Sequence, residues 1–271
     1  PAQARLVAVG AERYAVAEGG VVRVSSFIDG STIGEFTVAG DGEVLALALL
    51  GNLLAASSAK TTLLWNLAAP AREPLRLHPA VAISLGFALA EEPPTLRAAL
   101  VLPSRAGVLL ARAVTTDNSS VIDCLNNKSA ECTLEMQTQA EIVLGLQNEA
   151  IVANVSEMVL AARLLDVQEG GQLLLVHARG EGEAHVLRMG RANSTAPMLA
   201  VQTAQPFDEL LDAEVMEDSM LNETASADAV VQALFATEYG AELLELRMGS
   251  FTASLQTERL LALSRGVAGD A

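Results

Sequence analysis

Cys124 and Cys132 are the only cysteines of the chain, spaced eight apart around an asparagine-rich turn. Thiols at that spacing can close a short-range disulfide in an oxidising compartment. The alternative is two free thiols on opposing strands. A zinc site needs about four ligands, and no histidine lies near these cysteines in sequence. His177 and His185 flank Arg179-Gly180-Glu181-Gly182-Glu183. On a hairpin they could face each other with a carboxylate between, as a metal pair would. The plainer reading is two ordinary strand histidines beside an acidic turn, and it is preferred. His78, before Pro79, reads as a strand end. No metal and no cofactor is expected.

Five Asn-x-Ser/Thr sequons occur, at Asn118, Asn127, Asn154, Asn193 and Asn222. They are possible glycosylation sites in a secretory compartment, although Asn154 reads as part of a strand. Asn, Ser and Thr also gather in loops without being modified. Catalytic patterns are missing from the sequence. It has no Gly-x-Ser-x-Gly elbow, no phosphate-cradling glycine loop and no His-Glu-x-x-His. Its 33 acids cannot be sorted into catalytic pairs by count. The chain is not expected to be an enzyme.

The acids set a net charge of −16 against 17 bases. Such a field repels phosphate backbones, so broad nucleic-acid binding is not expected. It says nothing against a local basic patch. The acids concentrate between Asp208 and Asp228, a stretch with eight acids and no base. Asp208, Glu209, Asp212, Glu214, Glu217 and Asp218 are candidate partner-binding residues there, suited to a basic protein or ribonucleoprotein surface. Phe207, Leu210, Leu211, Val215, Met216 and Leu221 recur at roughly helical spacing. The stretch therefore reads as a projecting amphipathic helix or as a solvated loop.

The elements that must position these groups are short strands. Half of the 271 residues are apolar but only 3% are aromatic, so Leu, Val and Ala must fill the core. Val21 to Leu67 sets the pattern. Val21–Phe27 alternates as a half-buried strand. Asp29-Gly30-Ser31 is a turn, because Gly tolerates positive φ and Asp can bond its own following backbone. Thr32–Val38 is the next strand, and Gly40-Asp41-Gly42 breaks it. Val44–Leu50 is almost wholly apolar, the mark of a strand buried on both faces. Gly51-Asn52 turns the chain into two further strands, the last ending at Leu64-Trp65-Asn66-Leu67. Trp65, Leu64, Val44, Leu45 and Leu47 are the expected core. The unit is about forty residues long, the period of a four-stranded propeller blade.

Over residues 13–78 this phrase resembles WD-repeat proteins. The family closes its third strand on Trp-Asp, where this chain has Trp65-Asn66. The family's Gly-His is replaced by Gly40-Asp41-Gly42. The resemblance implies an all-β fold, a single β-propeller. Third strands are expected near Val21, Thr61 and Gly107, then at Glu149–Val155, Glu183–Met189 and Ala241–Met248. Six such strands imply about six blades, or seven if the termini share one. The expected layout is a propeller over 1–254, a polar insertion at 115–130, the acidic insertion at 208–228 and a helical tail at 255–271. No uncharged run is longer than Val44–Ala59, which is about one turn too short to cross a bilayer, and a membrane span is not expected.

The resemblance implies a non-catalytic interaction scaffold whose partners are other subunits of a large intracellular assembly, multi-protein or ribonucleoprotein. Nuclear or nucleolar placement is one version, and ribosome assembly one setting. The sequons and the cysteine pair support an alternative, a glycosylated recognition domain in the ER lumen or outside the cell. A propeller-fold enzyme is a third reading, by analogy of fold alone.

Overall fold

A computed structural model describes residues 6–38, 42–88, 94–103, 107–115, 120–126, 134–143, 158–167, 171–179, 183–189, 195–202, 209–217, 229–237, 240–248 and 253–261. These form twenty strands and one short helix. The strands make five antiparallel four-stranded sheets, each built from consecutive strands. Sheet one holds β1 (Leu6–Val9), β2 (Arg13–Glu18), β3 (Val21–Ser26) and β4 (Thr32–Thr37). Sheet two holds β5 (Ala46–Leu50), β6 (Leu53–Ser57), β7 (Thr62–Asn66) and β8 (Leu75–Leu77). Sheet three holds β9 (Ala82–Ala88), β10 (Thr95–Val101), β11 (Gly107–Thr115) and β12 (Leu134–Val143). The helix α1 (Val121–Asn126) lies between β11 and β12. Sheet four holds β13 (Met158–Val167), β14 (Gly171–Arg179), β15 (Glu183–Met189) and β16 (Thr195–Gln202). Sheet five holds β17 (Glu209–Glu217), β18 (Ala229–Thr237), β19 (Gly240–Met248) and β20 (Ala253–Leu261).

The turns follow from local chemistry. Gly51, at φ 54°, opens the two-residue link of β5 to β6, where a side chain would meet the strain of the left-handed region. Gly30, at φ 68°, does the same in the turn after β3. The first strands of successive sheets lie side by side, β1 on β5, β5 on β9, β9 on β13 and β13 on β17. The sheets therefore stack face to face about a common row of first strands.

The core is a series of seams between neighbouring sheets. Sheet two turns Leu54, Ala56, Leu63 and Trp65 towards Val22, Val24 and Phe36 of sheet one. Its other face turns Leu53, Ala55 and Leu64 towards Leu85, Ala98, Leu100 and Leu109 of sheet three. Sheet three in turn sets Ala99, Val101, Val108 and Leu110 against Ala162, Leu164, Leu174 and Val176 of sheet four. Strands packed on both faces must be apolar throughout, and this is why Leu53-Leu54-Ala55-Ala56 runs without alternation. Alanine at 0% exposure recurs at these seams (Ala15, Ala55, Ala56, Ala98, Ala99). Small side chains let the sheets approach closely, which is how a core poor in aromatics fills. At Gly86 an added Cβ would lie 2.7 Å from Gln172 Nε2 and 3.1 Å from Leu164 Cβ. Beside it the Leu164 N–H donates to Ser84 Oγ at 3.0 Å.

Several sequence expectations are corrected. Val44–Leu50 is not buried on both faces. Val44 is buried but Leu45 is 39% exposed, and β5 beyond Ala46 is only partly buried. As a first strand, β5 has the row of first strands on one side, and the doubly buried strand is its neighbour β6. The acidic stretch is neither helix nor loop over Glu209–Glu217. It is β17, paired with β18. Asp-Ala-Glu-Val alternates with period two, and a neighbouring strand edge offers a full ladder of hydrogen bonds. The expected C-terminal helix is the strand β20, paired with β19 over Ala253–Leu261; the open edge of a sheet overrides helix propensity. The segment 115–130 is not simply polar, since it contains α1 with Val121 and Cys124 buried.

Five of the six expected third strands are third strands: β3, β7, β11, β15 and β19. The sixth, Glu149–Val155, lies outside the described residues. Six or seven sheets were expected, and the described residues hold five. Strands of the first two sheets have three to six residues. Those of the last three have seven to ten. Each later sheet therefore consumes more chain than a uniform forty-residue period allows.

Candidate interaction surfaces

The turn from β3 to β4 presents apolar side chains on a fixed backbone. The Ser26 N–H donates to Ser31 O at 2.9 Å and the Gly30 N–H to Ser26 O at 3.0 Å. The Ile28 N–H donates to Ser26 Oγ at 3.1 Å. The Ser31 N–H and hydroxyl both donate to Asp29 Oδ1, at 3.0 and 2.8 Å. The Ser31 hydroxyl, then its N–H, then the Ser26 hydroxyl hold the Asp29 carboxyl below its ordinary 3.8. A depressed carboxyl pKa means the turn keeps this support above the ordinary value and loses it as acid protonates Asp29. The Phe27 N–H donates to Glu12 O at 3.0 Å, tying the turn to the one between β1 and β2. The Phe27 ring lies 5.1 Å from that of Tyr14. On this frame Ile28 is 86% and Phe27 51% exposed.

The same end of sheet one carries more exposed apolar surface. Register aligns Val9 with Tyr14 and Val7 with Val16, on the face opposite the seam with sheet two. Val9 and Val7 are well exposed, as is Ile33 at the start of β4. Further along that face Arg23 and Glu35 form an exposed ion pair at 2.7 Å.

A second surface lies where sheet two meets sheet three. A groove of about 250 Å³ is lined by Lys60, Arg76, Leu77, His78, Pro79, Leu109, Ala111, Met136 and Thr138. Its walls are held by buried hydroxyls. Ser58 Oγ accepts the N–H of Lys60 at 3.3 Å and of Thr61 at 3.4 Å. The Thr62 hydroxyl donates to His78 O at 2.6 Å and lies 2.9 Å from Ser57 Oγ. Ser57 Oγ accepts the Ala80 N–H at 2.8 Å. Ser57, Ser58 and Thr62 are buried, so this network fixes both the corner bearing Lys60 and the segment bearing His78.

Asn66 acts through both ends of its amide. Its Oδ1 accepts the Ala68 N–H at 3.0 Å, and its Nδ2 donates to Leu125 O of α1 at 2.7 Å. Arg72 donates to Cys124 O at 3.4 Å. The helix between β11 and β12 is thereby tied to the loop after β7.

The residues singled out from sequence fall as follows. Trp65, Leu64 and Val44 are buried, and Leu47 packs partly buried on the seam between sheets one and two. Cys124 is disulfide-bonded, and the only other cysteine in the chain is Cys132, which lies outside the described residues. So do Asn118, Asn127, Asn154, Asn193, Asn222, Asp208 and Asp218. In β17, register pairs Asp212 with Leu234 and Glu214 with Gln232, while Glu209 lies opposite Ala236 and Glu217 opposite Ala229. Asp212 and Glu214 thus share one face of sheet five, and Glu217 belongs to the other. His177 pairs with Ala184 and His185 with Val176. Positions one apart on paired strands belong to opposite faces, so the hairpin does not bring the two histidines together. His177 is 1% exposed. Among the described residues no group of His, Cys, Asp or Glu could hold a metal ion, and no helix is long and apolar enough to cross a membrane.

The groove and α1 were missed from sequence. Ser58 to Thr61 carries a usable signal, a serine able to bond the backbone of its own turn. The packing of Leu77 and Met136 on one seam carries none, since it depends on how two sheets stack.

No protein-family model and no curated protein matches the chain. Solved structures do. The structure of Kluyveromyces lactis Hsv2p matches over 96% of this chain and 73% of its own, at 13% identity and a TM-score of 0.53. The fold is a WD40-like β-propeller. The N-terminal domain of Nup159 matches over 92% of this chain and 60% of its own, at 12% identity and a TM-score of 0.47. The WD40 domain of SCAP from fission yeast matches over 95% and 75%, at 8% identity and 0.46. In this propeller the sheets are blades and the row of first strands is the innermost. The Phe27–Ile28 turn sits at a blade end, and the groove opens between two blades.

Proposed function

We propose that this propeller is a non-catalytic protein–protein interaction scaffold, a subunit of a larger intracellular multi-protein or ribonucleoprotein assembly. The observation that carries the reading is the Phe27–Ile28 turn. A large apolar side chain 86% exposed, on a turn with little freedom left to lose, is suited to burial against a partner. Val9 and Ile33 extend the contact into a patch. The acids Asp212 and Glu214, on one face of the fifth blade, are a second contact, suited to a basic partner. Ile28→Asp is expected to remove most co-purifying protein while the thermal unfolding midpoint stays within a few degrees, because Ile28 buries little in the free chain. Co-purification unchanged by Ile28→Asp contradicts the assignment of this surface.

A second reading has its own observation, the disulfide-bonded Cys124. Structural disulfides persist in oxidising compartments and are rare in the cytosol. On this reading the propeller is a luminal or secreted glycosylated recognition domain. The intact mass of protein from its native source, alkylated without reduction, separates the two. Added glycan mass with both cysteines protected from alkylation supports the second reading. A bare mass with two alkylated thiols supports the first.

A further inference from the structure

We infer that the open face of the first blade docks an antiparallel β-sheet of a partner protein, apolar and uncharged on the side it presents, packed where a preceding blade would sit. The inference rests on the scaffold reading and names the partner chemistry of the same blade-end surface.

The first argument is the make-up of the strands. Leu6-Val7-Ala8-Val9 in β1 and Tyr14-Ala15-Val16-Ala17 in β2 are apolar without alternation. An antiparallel sheet with one solvated face alternates apolar and polar residues, whereas an unbroken apolar run marks a strand covered on both faces. One cover is in place. Ala8, Ala15 and Ala17 are buried in the seam with sheet two, and Leu6 packs on it. The opposite face carries Val7, Val9, Tyr14 and Val16, with Val7 opposite Val16 and Val9 opposite Tyr14. On that face Val7 is 59% and Val9 66% exposed.

The second argument is what covers the equivalent face of the next blade. In β5 and β6, Leu47 lies opposite Ala56 and Leu49 opposite Leu54. These four match Val7, Val16, Val9 and Tyr14 position for position, and a sheet covers them, that of blade one. The described first strands run β1, β5, β9, β13 and β17 in one row, and β1 stands at its end. A sheet laid on Val7 and Val9 continues that stacking.

Charge and area decide whose sheet it is. On the outer half of the face Arg23 and Glu35 are already paired with each other, so they ask for no net charge opposite. Strands about 4.8 Å apart and about six residues long give a four-stranded face of roughly 400 Å². That is about half of what each side of a stable dimer buries. A second copy would meet this shortfall and would also bring −16 towards −16. The occupant needs a further contact, and the Phe27–Ile28 turn supplies it. The turn is continuous with the face, because the Phe27 ring lies 5.1 Å from that of Tyr14. A partner sheet on the face, with neighbouring residues around Ile28, uses both.

The test places the photo-crosslinker p-benzoylphenylalanine at Val7, Val9 or Ile28 of the full chain in its native source and maps the crosslinked peptides by mass spectrometry. Arg76, exposed on the second blade, is the control position. Val7 and Val9 are expected to reach one protein, the one also reached from Ile28 and not from Arg76. The residues they reach are expected to lie on one face of an antiparallel sheet in that protein's structure. Val9→Glu is expected to lower recovery of that protein about fivefold or more, with an unchanged thermal unfolding midpoint. Crosslinks from Val7 and Val9 to a second copy, to another strand of this chain or to a helix would overturn the inference, as would full recovery in Val9→Glu. A crosslink from Ile28 with none from Val7 or Val9 would also overturn it and leave the scaffold reading standing. No crosslink from any of the three would remove both.

Discussion

Trp65→Ala is expected to lower the unfolding free energy by about 3–5 kcal/mol. Trp65 is the chain's only tryptophan and is 7% exposed. It lies on β7, opposite Leu54 in register. Its ring meets that of Phe36 at 5.6 Å and an interplanar angle of 53°. Trp65 and Phe36 come from different blades, so the pair closes the first seam. Removing the indole takes the largest side chain from a seam otherwise filled by Phe36 and by Val, Leu and Ala. Those neighbours sit on two hydrogen-bonded sheets and cannot collapse into the gap. Urea unfolding followed by far-UV circular dichroism measures the loss. A change below about 1 kcal/mol would mean that the seam between the first two blades is not where it is drawn.

The second large effect is at the seam between the third and fourth blades. Leu174→Ala is expected to cost about 3 kcal/mol. Leu174 is 0% exposed and belongs to the cluster of Val101, Val108, Leu110 and Val176. Polar order beside it limits relaxation. Arg97, 2% exposed, donates to Gln172 Oε1 at 3.3 Å across the same seam, and Gly86 leaves only enough room for Gln172. Trp65 and Leu174 belong to different seams, with the second and third blades between them. The double variant should therefore lose the sum of the two single effects to within about 0.5 kcal/mol. A strong departure from additivity would show that the blades do not pack as separate layers.

The repeat was legible because its punctuation is chemical. Asp29-Gly30-Ser31 and Gly51-Asn52 turn the chain where the sequence says they must, and five third strands follow from that phrasing. Trp65 was legible for the same reason, as the one large residue closing an apolar strand. Leu45 was misread because an apolar run does not reveal which of its residues face the innermost row. The strands β17 and β20 were misread because their apolar spacing suits a helix as well as a strand. A vacant sheet edge decided both, and no local sequence records it. The interaction surfaces were less legible still. Ile28 stands out only once its exposure is known, and the groove needs two blades brought together. Asn66 is a middle case. It occupies the place of the WD aspartate, and the structure gives its amide a second task that an aspartate could not perform, donating to Leu125 O of α1.

The proposed role as a subunit depends on binding through the exposed blade-end surface. Sedimentation of the protein in a gentle extract of its native source, beside the Ile28→Asp variant, tests it most directly. The wild-type chain is expected to sediment at several times its own 28.2 kDa, and Ile28→Asp is expected to shift a large fraction to the mass of the free chain. A wild-type chain sedimenting alone, or a variant that stays in the same large species, would contradict it.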